Sequence, residues 1–283
     1  MGTSNSYGGA RTGLVPSWID DPTPAAAPAP AASPTGASPA VAPAQSPQTT
    51  PPQPDGVTAG AFRNARTSFT GFAGGGGQTS LGRALSHYIR GGTGGAGNAA
   101  RRVGASRTAA AGLLGVVRGI QTVGAVETFR QLNLAAYVGR PAPDAFLALM
   151  EVICPPGGAV DEAIARAAML EAVQELAKAG IGTIDALTQD QLHEFFLDFV
   201  IRSIEGRVMA DIGQRGIVVP DDVGAATRAQ EQLHGFIAGC TRGALSGQLN
   251  NLANLTGVGL QRLVNSLYEL AFELIVVAAE AAE

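Results

Sequence analysis

The fold class is decided by residues 142–178, which read APDAFLALMEVI CPPGGAV DEAIARAAMLEAVQELAK. The spacing of the apolar residues predicts a helix over 142–153, and the CPPGG run at 154–158 predicts a rigid turn that ends it. A second helix is expected over 161–178, because its apolar residues also recur at helical spacing. Two consecutive helices joined by a short turn indicate a fold built from packed helices.

The charges of the second helix favour the same interpretation. The Asp161–Glu162 pair falls in its first turn and Lys178 in its last, which is the arrangement that the helix dipole stabilises. Gly180 then follows as a C-terminal stop. Stabilising the start of the helix is enough to account for the acid pair, so we favour this structural role over acid–base catalysis. The Asp221–Asp222 pair is interpreted in the same way, as the start of a later helix.

Further helices are predicted on both sides of this hairpin. They are expected from Ser80, acting as the cap, to about Arg90; from Asn98 to about Val123; from Gln189, capped by Thr188, to about Gln214; from Asp221 to about Leu249; and from Gly257 to Ala282. No alternation typical of strands recurs, and Ile217–Val219 is too short for more than an edge pairing. The expected fold is mainly α, a multi-helix globular domain behind a long N-terminal tail.

The tail is rich in proline and alanine. Residues 16–54 hold 12 of the 17 prolines of the chain, among alanine, serine, threonine and glutamine. Such a composition buries too little apolar surface to offset the entropy of ordering, so it predicts disorder. We divide the chain into an N-terminal tip (1–9), a disordered Pro/Ala/Ser linker (10–58), a basic Gly/Arg-rich helical arm (59–126) and an acidic α-helical body (127–283).

Charge separates the arm from the body. From Gly56 to Val126 the chain has eight arginines and no acid, whereas from Glu127 onward it has ten basic and twenty acidic residues. A basic arm of this kind is typical of binding to nucleic acid, to an acidic partner protein, or to the acidic second half of its own chain. Since no aromatic residues interleave with the arginines as a stacking platform, we favour docking on protein. The candidate docking residues are Trp18, Ile19, Arg63, Arg66, Phe69, Arg90, Arg101, Arg102 and Arg107.

A glycine-rich segment, Gly91-Gly92-Thr93-Gly94-Gly95-Ala96-Gly97, precedes the helix predicted at Asn98. A glycine-rich turn before a helix N-terminus resembles a phosphate-binding loop. This one lacks the Gly-Lys-Ser/Thr ending of a P-loop, and no strand pattern precedes it. A connector between two helices is therefore the favoured interpretation.

Residues that carry catalysis are sparse. His87, His193 and His234 fall on separate predicted helices, and His193 lacks the second histidine of a metalloprotease motif. Cys154 and Cys240 are far apart in the sequence and are expected to be buried, reduced thiols of a cytoplasmic protein. No nucleophile elbow and no set of kinase motifs occurs. The sequence therefore predicts a protein that is not an enzyme and that needs neither a metal nor a cofactor.

No export signal or membrane span is expected. Glycines, Pro16 and two aspartates interrupt the N-terminal segment, and the apolar C-terminal run 267–282 contains three glutamates. Met1-Gly2 with Ser6 matches an N-myristoylation signal, but no adjacent basic patch supplies a second anchor. The small second residue predicts removal of Met1, which leaves Gly2 as the free amino terminus.

Six stretches carry a family resemblance. They are MGTSNSYGG at 1–9, ARTSF at 65–69, HYIRGGTGG at 87–95, NAARR at 98–102, ICPPGG at 153–158 and DEAIAR at 161–166. Together they resemble the QatB component of the bacterial Qat anti-phage system, with the linker as an unmatched spacer. The resemblance implies three partners: a QatA ATPase, a QatC protein similar to the QueC enzyme of 7-deazaguanine synthesis, and a QatD protein similar to TatD nucleases.

The resemblance also implies a role for the tip. Related QueC-like defence enzymes suggest that QatC attaches a deazapurine to a protein amino terminus, which makes Gly2 the implied acceptor. The implied recognition residues, which would lie extended in the partner's cleft, are Thr3, Ser4, Ser6, Tyr7, Gly8 and Gly9. The α-amino pKa of about 8 leaves a neutral fraction at pH 7. The alternatives are a nucleic-acid-binding protein and a purely structural adaptor that joins the ATPase to the QueC-like subunit through the arginine-rich arm.

Overall fold

Helices account for the architecture of the part of the chain that a computed structural model describes, residues 60–213 and 223–282. They are α1 Arg63–Gly71, α2 Gly77–Ser86, α3 Ala96–Arg101, α4 Gly104–Val123, α5 Ala125–Gln131, α6 Ala142–Ile153, α7 Val160–Lys178, α8 Gln189–Gly213, α9 Val223–Ser246 and α10 Gly257–Ala281. Within these two ranges no strand occurs, and one isolated bridge joins Pro141 to Thr183. The prediction of a mainly α fold is confirmed. The tip (1–9) and the linker (10–58) lie outside the described residues.

The centre of the fold is formed by α4, α8 and α10. Helix α8 packs against α4, α7 and α9, and α10 packs against α2, α3, α4 and α9. Large aromatic side chains from along the described chain are fully buried in one core: Tyr88, Phe129, Phe146, Phe196, Phe199, Tyr268 and Phe272. The basic and acidic segments of the sequence thus contribute to one core, which belongs to a compact unit spanning residues 52–283.

Helix bounds that depend on local capping agree with the sequence prediction. Helices α6, α7, α8 and α10 begin and end within about one residue of the predicted positions. At the start of α8, Thr188 Oγ1 accepts the Gln191 N–H at 3.2 Å, while the Gln191 side chain accepts the Thr188 N–H at 2.9 Å. This reciprocal pair is a capping box, which satisfies two N–H groups that would otherwise lack a partner.

Two predicted helix starts are wrong. Ser80 does not cap a helix, because α2 already begins at Gly77 and passes through it. The single helix predicted from Asn98 is broken at Val103, whose dihedral angles (φ −99°, ψ 43°) are not helical. Helix α4 begins afresh after this break, where the Ala105 N–H donates to the Asp161 carboxylate of α7. The break depends on a residue far away in the sequence, so local periodicity did not indicate it.

The glycine-rich segment connects helix α2 to helix α3. Helix α2 continues into a π-helical turn, His87–Gly92, before the chain bends and enters α3. Gly94 and Gly95 have φ angles of 77° and 116°, a region that residues with a side chain rarely adopt. The connector interpretation is consistent with this geometry.

The turn between α6 and α7 is fixed by side chains on both helices. Arg166 of α7 donates to Glu151 of α6 and to the Cys154 carbonyl, each at 2.6 Å. Glu162 accepts the Ala159 N–H at 3.1 Å, and its carboxylate lies where a side chain at Gly157 would be placed. The CPPGG turn therefore holds the hairpin by hydrogen bonds as well as by proline stiffness.

A buried carboxylate, Asp211 of α8, joins three parts of the chain. Arg102, which follows α3, donates to both carboxylate oxygens at 2.9 and 3.0 Å. Arg207, one turn earlier on α8, donates to both oxygens at 2.5 and 3.1 Å. The Tyr88 hydroxyl adds a third donor at 2.9 Å. Burial alone would raise the pKa of Asp211, but the hydrogen bonds and charges of Arg102 and Arg207 outweigh burial and hold it below its usual range.

Aromatic rings enclose this centre. The Phe62 ring stacks on Tyr88 with a centroid separation of 5.3 Å, and the Arg102 guanidinium carbon lies 5.6 Å from the Phe62 centroid. Gly92 permits this arrangement, because a Cβ at that position would overlap the Phe62 ring. The ion pairs are therefore shielded from water, which strengthens them and makes the loss of either partner costly.

We expect Asp211→Ala to lower the free energy of unfolding by about 3–5 kcal/mol, because it removes a buried carboxylate that accepts hydrogen bonds from two guanidinium groups. Urea denaturation followed by circular dichroism measures this loss. Tyr88→Phe is the matched control, since it removes one hydrogen bond and should cost about 1 kcal/mol. Equal costs for the two variants would show that the ion pairs contribute little.

Asp161 is expected to give the opposite pH dependence from Asp211. Burial raises the pKa of Asp161. The hydrogen bond from the Ala105 N–H and the charges of the nearby arginines lower this pKa, but by less than burial raises it. When folding raises the pKa of a carboxyl group, the folded protein becomes less stable as the pH rises. The loss occurs between the pKa of the group in the unfolded chain, about 4, and its higher pKa in the folded protein. Asp161→Asn keeps an acceptor for Ala105 but does not ionise. The thermal stability of this variant relative to the parent should therefore increase from pH 4 to pH 7, and a constant difference would contradict the assignment.

Candidate functional site

The predicted modification site lies outside the described residues. This holds for Gly2, for the recognition residues Thr3, Ser4, Ser6, Tyr7, Gly8 and Gly9, and for the docking residues Trp18 and Ile19. These predictions stay predictions. The arm and the body carry the remaining candidates.

Four of the arm's eight arginines contact the second half of the chain. Arg102 binds Asp211, Arg90 pairs with Glu280, and Arg107 donates to Asn265 at 3.4 Å. Arg118 donates to the Leu255 carbonyl. Of the three uses considered for the arm, these contacts favour docking on the acidic half of the same chain. The arm's basic charge is thus partly a means of joining α2, α3 and α4 to α8 and α10.

The remaining arginines of the arm have different surroundings. Arg63, Arg83 and Arg101 are exposed, and Arg101 hydrogen-bonds to Asn98 and Arg107. Arg66 is half-buried, and its buried Nε has no hydrogen-bond partner among the described residues. Docking of a partner on the exposed arginines stays a prediction.

Two residues expected to dock on a partner are largely buried within the folded chain. The Phe69 side chain is 3 % exposed and packs edge-on against Phe72 at a centroid separation of 5.5 Å. The Arg102 side chain is 10 % exposed and is held by Asp211. The sequence showed an aromatic and a basic residue at plausible spacing, but not the residues that enclose them.

Each histidine is engaged by a neighbouring side chain. His87 lies 3.3 Å from the Ser68 hydroxyl, His193 lies 2.9 Å from the Gln121 amide nitrogen, and His234 Nδ1 lies 3.1 Å from Glu205 Oε2. Burial lowers the pKa of His193, although Asp190 and Glu194 oppose the shift. Among the described residues, no group of three or more His, Cys, Asp or Glu side chains is arranged to hold a metal ion.

The acid pair at 161–162 serves the starts of two helices. Glu162 accepts from the backbone at the start of its own helix, whereas Asp161 accepts from the start of α4. The predicted structural role at the start of α7 is confirmed for Glu162. Asp161 also has a structural role, but it accepts its hydrogen bond from the start of α4 rather than from α7. Asp221, Asp222 and Ile217–Val219 lie outside the described residues.

A small polar cleft opens between α7, α8 and α9. Its volume is about 250 Å3, and it is lined by Glu175, Arg202, Glu205, Thr227, Gln230, Glu231 and His234. Glu205 is 5 % exposed, although it is charged and lies on a long helix with mainly apolar neighbours. The cleft could not be predicted from local sequence patterns, because its residues come from three helices. The only local signal was a carboxylate at a position of α8 that periodicity assigns to the core.

Comparison with known proteins gives the family. A family model described as Qat anti-phage system associated protein QatB matches residues 94–275, which is more than half of the chain. The chain belongs to the QatB family. It is therefore a component of an anti-phage defence system of several proteins. No curated protein and no solved structure was found to match it.

The QatB match begins inside the glycine-rich segment and ends within α10. It includes the CPPGG turn and both arginine partners of Asp211. None of the helices in the described ranges is long and apolar enough to cross a membrane.

Both cysteines of this QatB-family chain are expected to react slowly with alkylating agents. Burial raises the pKa of Cys154 and of Cys240 to about 11, so little thiolate forms near neutral pH. At pH 8, labelling by iodoacetamide should be roughly a hundredfold slower in the native protein than in denaturant, as mass spectrometry of the two peptides can measure. Rapid native labelling of either peptide would show an accessible thiolate.

Proposed function

We propose that this QatB-family protein is a non-catalytic scaffold of the Qat complex in the cytoplasm. It presents Gly2 to a QueC-like partner, QatC, which modifies the glycine α-nitrogen with a 7-deazapurine. The other proposed partners are the QatA ATPase and the TatD-like QatD. Membership of the QatB family makes the chain a component of a Qat system of several proteins, and the proposal adds these partners and the roles of assembly and substrate.

One observation supports the scaffold role. Charged side chains of the types that act as catalytic groups in enzymes connect helices to one another in this protein. Asp211 joins α3 to α8 through Arg102, and Arg166 joins α6 to α7 through Glu151. Glu205 joins α8 to α9 through His234. In each pair one group compensates the charge of the other, and the contact fixes two parts of the fold relative to each other. A body stabilised by such contacts supports rigid presentation and assembly better than catalysis.

The substrate role is supported by the sequence before the helical body. Residues 10–55 separate the tip from the folded part, and a flexible chain of this length spans roughly 35–40 Å. Such a tether keeps the tip at high effective concentration near a partner bound to the body. The tip combines small residues and hydroxyls with a single tyrosine, a composition that suits an extended segment in a narrow cleft.

Glycine is a suitable acceptor for chemistry at an amino terminus. Its α-nitrogen has no side chain beside it to block the approach of an activated ligand. The neutral amine carries the lone pair that attacks, and a pKa of about 8 gives a useful neutral fraction at pH 7. The partner enzyme would supply the deazapurine with an activating group on the carbon that is attacked. The glycine nitrogen forms a bond to that carbon, the activating group leaves with the electrons of its own bond, and the nitrogen gives up one proton.

The arginine contacts favour an assembly role for the arm over nucleic-acid binding. Arg90, Arg102 and Arg107 contact residues of α8 and α10. The exposed Arg63, Arg83 and Arg101 then remain for an acidic surface of a partner protein.

The proposal is tested by the intact mass of the chain after co-expression with its QueC-like partner. Wild type should lose Met1 and gain the mass of one deazapurine, located on the N-terminal peptide. Gly2→Pro should lose Met1 but gain no such mass, because it presents a secondary, ring-bound amine. Gly36→Pro, in the linker, is the matched control and should be modified like wild type. An unmodified wild type in the assembled complex would refute the substrate role.

A further inference from the structure

The hairpin formed by α6 and α7 has an outer face that is rich in apolar side chains. Four of the eight large apolar side chains that are exposed within the described ranges lie on these two helices: Leu147, Val152, Val160 and Leu170. Ala163 and Ala167 of α7 are exposed as well. The buried face of the hairpin packs on α4 and α8. A helix pair that is apolar on both faces is typical of a pair that is covered on both faces.

An ion pair fixes which residues of the two helices lie side by side. The Arg166 guanidinium of α7 donates to the Glu151 carboxylate of α6 at 2.6 Å. Leu147 precedes Glu151 by about one helical turn, and Leu170 follows Arg166 by about one turn. Because the two helices of the hairpin run in opposite directions, both leucines lie at one level, a turn farther from the CPPGG turn than the ion pair. The outer face thus presents a charged level and, next to it, an apolar level.

This order makes the outer face complementary to itself. A twofold axis parallel to the helices, above the groove between them, would place α6 of one copy on α7 of the other without shifting the levels. Leu147 then faces Leu170 of the second copy. Glu151 likewise faces Arg166 of the second copy, so opposite charges meet. The Glu151 side chain is 55 % exposed, and a carboxylate has room for a second guanidinium besides the one that it already binds.

We propose that two copies of this chain associate through the outer faces of α6 and α7, so that the four helices form an antiparallel bundle. Helix α7 has 19 residues and therefore spans about 28 Å, and two adjacent helices are about 20 Å wide. Such a face buries on the order of 1,000 Å2 in the two copies together, which is near the lower limit for a biological interface. We therefore expect a reversible dimer rather than an obligate one.

The dimer goes beyond the proposed function and does not depend on it. Each copy brings its own N-terminal tip, so one dimer carries two Gly2 residues. If the scaffold and substrate roles hold, a dimer would offer a QueC-like partner two acceptors in one assembly, which raises the effective concentration of the second acceptor once the first is engaged.

Sedimentation equilibrium of the full-length protein, over a series of concentrations, tests the association. The average mass should rise from that of one chain to that of two. Leu147→Asp should weaken the dimer at least about tenfold, because the twofold contact buries the new charge twice. Val277→Asp is the matched control: it makes the same kind of change at an exposed position of α10 and should dimerise like wild type. Both positions are exposed, so thermal unfolding should show both variants folded.

Two results would overturn the dimer. One is a wild type that stays a monomer up to about 1 mM. The other is a folded Leu147→Asp variant that dimerises like wild type. A monomeric wild type whose binding to another protein of the Qat system is lost in Leu147→Asp would assign the face to that protein and refute the dimer.

Disulfide trapping tests the position of the axis. One preparation carries Leu147→Cys and a second, with a different affinity tag, carries Leu170→Cys, and the mixture is oxidised with copper–phenanthroline. A disulfide between the two kinds of chain is expected, because the axis places these residues opposite each other. A mixture of Leu147→Cys with Val277→Cys is the control and should give no such product. Disulfides confined to chains of the same kind would overturn the assigned axis.

The outcome is separable from that of the substrate proposal. Neither the sedimentation nor the disulfide measurement involves Gly2 or the QueC-like enzyme. An unmodified Gly2 in a chain that dimerises would refute only the substrate role, whereas a modified Gly2 in a chain that stays a monomer would refute only the dimer.

Discussion

The arrangement of the helices depends on one carboxylate that accepts hydrogen bonds from two guanidinium groups. Asp211 binds Arg207 on its own helix and Arg102 from the basic segment, with Tyr88 as a third donor. The i,i+4 pair within α8 could form in an isolated helix, but the bond to Arg102 requires that residues 109 apart in sequence meet. Because the centre is buried, a helix arrangement that separates these groups would leave charge without compensation. We therefore expect the ion pairs to favour this packing over other ways of burying the same apolar surface.

The same centre explains the unequal distribution of charge along the chain. Eight arginines without an acid would repel one another in an isolated segment, but opposite charges on α8 and α10 lie close to them in the folded chain. Arg90 and Glu280 form an exposed pair, which contributes little, whereas Arg102 and Asp211 are enclosed by Phe62. The charge pattern that suggested nucleic-acid binding is therefore also a pattern of internal pairing. The exposed Arg63, Arg83 and Arg101 take no part in the ion pairs between the described parts of the two halves.

Features set by neighbouring residues were predictable from the sequence, and features set by distant residues were not. The capping box of α8 and the acids at the start of α7 are local, so the bounds of these helices followed from the sequence. The break at Val103 was missed because it depends on Asp161, and Phe69 was assigned to docking because its burial comes from packing against other elements. The cleft was missed for the same reason, since Glu205 and His234 lie on different helices. The predictions about Gly2 and the tip concern residues outside the described ranges.

The position of Tyr88 and Phe62 has a consequence for the extent of the folding unit. Both residues precede the stretch matched by the family model, which begins at residue 94, yet both are buried around the Asp211 centre. Helix α2 also precedes that stretch, and it packs against α10. The segment that identifies the family is thus shorter than the segment that folds. A chain trimmed to the matched residues would keep both guanidinium groups and their carboxylate but lose the aromatic cover that keeps water away from them.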